Sequence, residues 1–185
     1  MNRFQKQFSL AAASFLLLFL NTTSVVSQQS NQQQTASLTK GSLEDVRDMR
    51  RALLLVFRSR VVEANNNDRS IIEQVLKTDP QPKSGRSIWV YGQIARKLNS
   101  YIRKHKSIKP AYELENAEFV IYFNIIEYRR LLNVMYPYGE LYVVVKGSPE
   151  LQNPPRIVWK TRKIMWANDA IGDLIKDLKT LRGES

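Results

Sequence analysis

Residues 119–128 read FVIYFNIIEY, and this almost unbroken apolar run constrains the fold more than any other stretch. A strand with one wet face alternates apolar and polar residues, whereas a strand apolar at both parities needs cover on both faces. Branched and aromatic side chains also suit extended backbone. A central strand between two layers is therefore the expectation. Residues 141–145, LYVVV, repeat the pattern, and 87–91, SIWVY, read as a further strand ended by Gly92. Residues 156–164 alternate apolar with basic side chains, as near a sheet edge where outward charge discourages stray pairing. Pro137-Tyr138-Gly139 reads as a turn and residues 147–155, GSPELQNPP, as a loop.

Helical periodicity appears in two long stretches. From Gln93 to His105, Ile94, Leu98, Tyr101, Ile102 and His105 share one face, with Arg96 and Arg103 opposite and Lys97 and Lys104 flanking them. Near the end, Ala167, Ala170, Ile171, Leu174, Ile175, Leu178 and Leu181 form one stripe. Asp169 and Asp173 stand near its start, Lys176, Lys179 and Arg182 near its end, and Gly183 is placed to stop it.

Residues 42–79 read as an N-terminal helical segment. Ser42 can cap a helix, and Leu43, Val46, Met49, Leu53 and Phe57 follow at helical spacing. The run 53–57, LLLVF, with Val61 and Val62 beyond it, also fits a buried strand; the spacing favours helix. Asn65-Asn66-Asn67 interrupts the element, a short helix runs from Asp68 or Arg69 to Lys77, and 80–85 is a linker. The order strand–helix–strand–strand–strand–helix over 86–183 predicts an α+β domain: one mostly antiparallel sheet of about four strands, with helices packed on it. Segment 42–79 packs with this core as one domain.

Residues 1–27 read as a signal peptide. Arg3 and Lys6 precede an apolar run at 8–20, and Val25-Val26-Ser27 offers a cleavage site. That run is shorter than the roughly 20 residues a membrane-spanning helix needs, although a retained N-terminal anchor is the alternative. Residues 28–41, rich in glutamine, read as a disordered tether because they offer too little apolar surface to offset ordering. The chain has no cysteine, which excludes disulfides, thiol chemistry and lipid attachment through sulfur. A cysteine-free exported domain points to a bacterial protein, periplasmic or secreted. With 28 Lys and Arg against 17 Asp and Glu, the net charge of +11 suits anionic lipid or polysaccharide partners, and export argues against nucleic acid.

The entry Glu115-Asn116-Ala117-Glu118 into FVIYF, then GELYVVV, RIVWKTR and a closing amphipathic helix, carries a resemblance over residues 87–183. This layout resembles small bacterial envelope domains, such as the N-terminal domain of the translocation protein TolB and families of exported lipoproteins. The resemblance implies a docking or accessory module of envelope machinery. The chain departs from the lipoprotein members in lacking the lipidated cysteine.

Chemical motifs are sparse. His105, the sole histidine, lies on an apolar helix face, where packing and contact with the negative helix end account for it. Glu113, Glu115, Glu118, Glu127 and Glu140 lack the partners that would mark a catalytic set, and no metal or cofactor motif is present. Arg96, Lys97, Arg103 and Lys104, with Lys160 and Arg162 beside Trp159 and Trp166, mark candidate anionic-surface contacts. The preferred partner-binding segment is 129–138, RRLLNVMYPY. Arg129, Arg130, Leu131, Leu132, Val134, Met135, Tyr136 and Tyr138 give it more apolar and aromatic area than a connecting loop needs. The expected function is a non-catalytic binding or accessory module contacting a protein or envelope component. An exported hydrolase of an anionic polymer and a head-group-binding peripheral membrane protein are the alternatives.

Overall fold

The run at 119–128 lies within a strand that is buried from Phe119 to Ile125, and layers cover both of its faces. The computed structural model describes residues 40–58, 68–78, 85–148 and 153–185. The segments read as a signal peptide (1–27) and, up to residue 39, as a tether, together with Val61 and Val62, the expected break at 65–67, the expected linker at 80–84 and the middle of the segment 147–155, lie outside the described residues. A short 3-10 turn at Leu43–Val46, capped by Ser42, leads into β1 (Arg51–Phe57). Then come α1 (Asp68–Lys77), α2 (Gly85–His105), β2 (Lys109–Ala111), β3 (Phe119–Leu131), β4 (Val134–Val145), β5 (Arg156–Lys160), β6 (Met165–Trp166) and α3 (Ala167–Arg182).

The sheet is mixed and six-stranded, which corrects the mostly antiparallel sheet of about four strands. Its order is β2-β1-β3-β4-β5, and β6 pairs with β4. Strand β1 runs parallel to β2 and β3, while β4 is antiparallel to β3, β5 and β6. The change traces to residues 53–57, favoured above as helix. Five consecutive residues, 52–56, are buried, which a helix with one apolar stripe does not allow. Ala52, Leu54 and Val56 face one layer, Leu53 and Leu55 the other.

Residues 87–91 are also corrected, from strand to the first turns of α2. Ser87, Val90, Ile94, Leu98 and Tyr101 are buried while Ile88 and Trp89 are exposed, a helical spacing that overrides strand propensity. Gly92 lies inside this helix rather than ending a strand. One face of the sheet packs on Val90, Ile94 and Leu98 of α2 and on Ala170, Ile171, Leu174 and Leu178 of α3. The opposite face packs on Ile71, Ile72 and Val75 of α1. The closing helix matches its expectation. Gly183 adopts φ 65° and donates its N–H to Thr180, while the Glu184 N–H reaches the Lys179 carbonyl at 2.9 Å.

Segment 129–138 is not a loop. Strands β3 and β4 stay paired out to Leu131 and Val134, joined by Leu132-Asn133 at φ 46° and 65°. Both central residues thus have the positive φ that a two-residue type I′ hairpin requires. Pro137 and Gly139, expected in a turn, lie within β4. Pro137 is tolerated because β6 reaches β4 only from Tyr138. At Gly139 a Cβ would fall 1.9 Å from the Asn124 carbonyl oxygen, beside the register shift between Ile125 and Glu127.

Strand β5 lies at the sheet edge, as its charge pattern predicted, but stops at Lys160 rather than at 164. Gly41 donates its N–H to the Ile157 carbonyl at 2.8 Å and covers part of that edge.

Candidate functional site

The end of the β3–β4 hairpin extends beyond the rest of the sheet. Among the described residues, β1 accompanies β3 only to Asn124, and β6 accompanies β4 only at Tyr138 and Gly139. From there Tyr128, Arg129, Arg130 and Leu131 pair only with Pro137, Tyr136, Met135 and Val134. At about 3.4 Å per residue this two-stranded end is on the order of 10 Å long.

Its side chains sort into levels. At the apex Leu132 is 90% exposed, with Leu131 at 61%, Val134 at 46% and Met135 at 40%. Alternation along the strands puts Leu131 and Val134 on one face and Met135 on the other. Arg130 stands level with Met135 on the same face, and Arg129 one pair farther back on the other. The Arg129 guanidinium lies 4.4 Å from the Tyr138 ring centroid and donates from Nε to Glu127 at 2.6 Å. Arg130 donates to Asn133 Oδ1 at 2.7 Å. Aromatic rings begin at the level of Arg129 and continue behind it. Tyr136 meets Trp166 edge-on at 5.0 Å, and Arg86 of α2 stacks 5.5 Å from the Tyr128 centroid. Burial pushes the Tyr128 hydroxyl up, against the opposing charges of Arg86 and Arg58.

Six of the seven partner-binding candidates, Arg129, Arg130, Leu131, Leu132, Met135 and Tyr136, thus fall on one protruding element, and Tyr138 lies at its base, where β6 pairs with β4. Trp166 and Arg86 were missed as members. Trp166 carried a weak signal as an aromatic beside basic residues. Arg86 carried none, because the helix that presents it was read as starting after Gly92.

The anionic-surface candidates do not form one patch. Lys97 Nζ donates to the Asn168 carbonyl at 2.9 Å and Lys104 Nζ to that of Ser185 at 3.0 Å, so both tie α2 to the ends of α3. Arg96 and Arg103 line an open cleft of about 410 Å³ with Asn99, Ile102 and Pro110, beside β2. Lys160 and Arg162 lie at the opposite sheet edge, where Lys160 Nζ is 3.7 Å from Asp68.

His105 packs as expected. Its ring lies 5.0 Å from that of Tyr101, and its Nδ1 is 3.5 Å from Glu184 Oε2. Burial pushes the Glu184 carboxyl up. The Tyr101 and Ser107 hydroxyls and the charges of His105 and Arg182 outweigh that and hold it below its ordinary range. A cleft of about 360 Å³ beside it is lined by Arg47, Asp48, Arg50, Ser107, Leu181, Arg182 and Glu184. Neither cleft is lined by His105, Glu127 or Glu140. Glu113 accepts from Asn116, Glu127 from Arg129 and Glu140 from Tyr142. Among the described residues no three metal-ligating side chains converge, and no helix is long and apolar enough to cross a membrane.

No protein-family model, curated protein or solved structure matches this chain.

Proposed function

We propose that this protein is an exported, non-catalytic binding module whose β3–β4 hairpin tip is its contact element, docking on a protein or envelope component. The observation that carries the reading is Leu132. It holds φ 46° and is 90% exposed. A left-handed backbone costs a leucine about 1 kcal/mol, and asparagine or glycine would fill the same turn more easily. The side chain gives the fold no burial in return. Strain of this kind, joined to wasted apolar surface, belongs to a site kept for an external contact.

Leu131, Val134 and Met135 extend the same surface. Full burial of each such side chain is worth about 1.5–3 kcal/mol, enough together for a specific association. The rings and arginines behind the tip are residue types that anchor interfaces. Residues 1–27 support the exported address through their charged start, apolar run and cleavage site.

The test is site-specific photo-crosslinking. Benzoylphenylalanine replaces Leu132, or, as a control, the exposed Ile164. Position 132 is expected to give adducts in native envelope that position 164 does not. Equal or absent labelling at 132 removes the proposal.

A further inference from the structure

We infer that the hairpin tip docks on an anionic lipid surface, with its apex side chains below head-group level and Arg129 and Arg130 on lipid phosphates. This rests on the hairpin being the contact element and names what it contacts.

The distribution around the ribbon carries the inference. Leu131 and Val134 lie on one face, Met135 on the other one pair farther back, and Leu132 at the apex, so exposed apolar side chains lie on both faces of the tip. A protein surface meeting one face would leave the other apolar face in water. A bilayer interface surrounds an inserted tip on every side. The cations also occupy both faces: Arg130 stands level with Met135 on one face, and Arg129, one pair farther back, stands level with Tyr136 on the other, so each face carries one guanidinium behind Leu131, Leu132 and Val134. Tyr136 begins the aromatic residues at the level of Arg129, and Tyr128 and Tyr138 lie behind both arginines, a gradation from apolar through cationic to aromatic that suits acyl boundary and head groups. Without residues 1–27, which hold Arg3 and Lys6, 26 Lys and Arg stand against 17 Asp and Glu, and this net charge of +9 complements an anionic leaflet.

The backbone limits the depth. Among the described residues, the outer edges of both strands near the tip have no neighbouring strand. Unpaired N–H and C=O groups are costly in hydrocarbon, so only the apex side chains enter it.

The experiment is co-sedimentation of the full-length chain, after leader removal, with two vesicle types. One is phosphatidylcholine alone; in the other a third of the lipid is phosphatidylglycerol. Wild type is expected to bind the anionic vesicles about tenfold more tightly than the neutral ones. Leu132→Asn keeps a residue suited to positive φ, so the hairpin is retained, and binding is expected to fall about tenfold. Arg129→Gln/Arg130→Gln is expected to erase the preference for anionic vesicles. Unchanged binding by Leu132→Asn, or equal wild-type binding to both vesicle types, overturns the inference. A protein adduct at position 132 without vesicle binding overturns the lipid assignment while leaving the contact role intact. Absence of both adduct and vesicle binding removes both readings.

Discussion

Glu118 Oε2 lies 2.8 Å from the backbone nitrogen of Arg51, a residue 67 positions earlier in the chain. The same oxygen accepts the Arg50 N–H at 2.6 Å, so one carboxylate holds the start of β1 against the start of β3. Burial pushes the Glu118 carboxyl up, but the two N–H bonds and the charges of Arg51 and Arg50 bring it below its ordinary 4.5. A folded-state pKa below the unfolded one gives stability that is fully present above about pH 4.5 and lost as pH falls through the lowered value. Glu118→Gln should cost about 1 kcal/mol at neutral pH, the side chain's exposure having reduced the usual charged-bond value. Urea denaturation should show that difference shrinking on acidification. A constant difference from pH 7 to pH 3 would contradict it.

Leu132→Asn should leave stability unchanged or raise it by up to about 1 kcal/mol, since asparagine tolerates the positive φ that strains leucine. Thermal unfolding measures this directly. A clear loss of stability would mean that Leu132 packs for the fold.

Gly139→Ala should be among the most damaging substitutions in the sheet. A methyl 1.9 Å from a backbone carbonyl oxygen cannot be relieved by a side-chain rotation, and β3 must move at its bulge. The expected loss is about 3 kcal/mol, read as a lower urea midpoint. A midpoint within error of wild type would refute the tight approach.

Arg182 joins three segments. Its guanidinium donates to the carbonyls of Val46 at 2.7 Å, Met49 at 2.8 Å and Ser107 at 3.1 Å. Arg182→Met should cost about 2 kcal/mol by leaving those acceptors short of partners. Arg182→Lys should recover less than half of it, because an ammonium lacks the planar fork that reaches several oxygens. Full rescue by lysine would show that charge alone is at work.

The parts of the fold legible from sequence are those whose signal is local or compositional. Residues 119–125 announce cover on both faces because both parities are apolar, and α3 is readable because stripe, end charges and Gly183 agree. Strand β1 was masked by Leu43, Val46, Met49, Leu53 and Phe57, whose spacing imitates a helix; its pairing partners lie more than fifty residues away, beyond any local window. The start of α2 was masked by the strand propensity of Ile88, Trp89, Val90 and Tyr91. At the hairpin, Pro137 and Gly139 gave a turn signal that belongs to a strand edge and a bulge. The true turn, Leu132-Asn133, carries a leucine where glycine or asparagine is usual. The candidate site was legible as surplus apolar residues, but the sharing of its apolar and cationic side chains between two faces depends on register.

The parallel pairing of β1 has a kinetic consequence. Residues 51–57 emerge early from the ribosome, yet their partners in β2 and β3 end at Ala111 and Asn124. At about 5–20 residues per second, the LLLVF segment waits several seconds with both backbone edges open. Such a strand is a template for pairing between nascent chains. Its safe completion therefore depends on being held apart from its neighbours until the distant partner has been made.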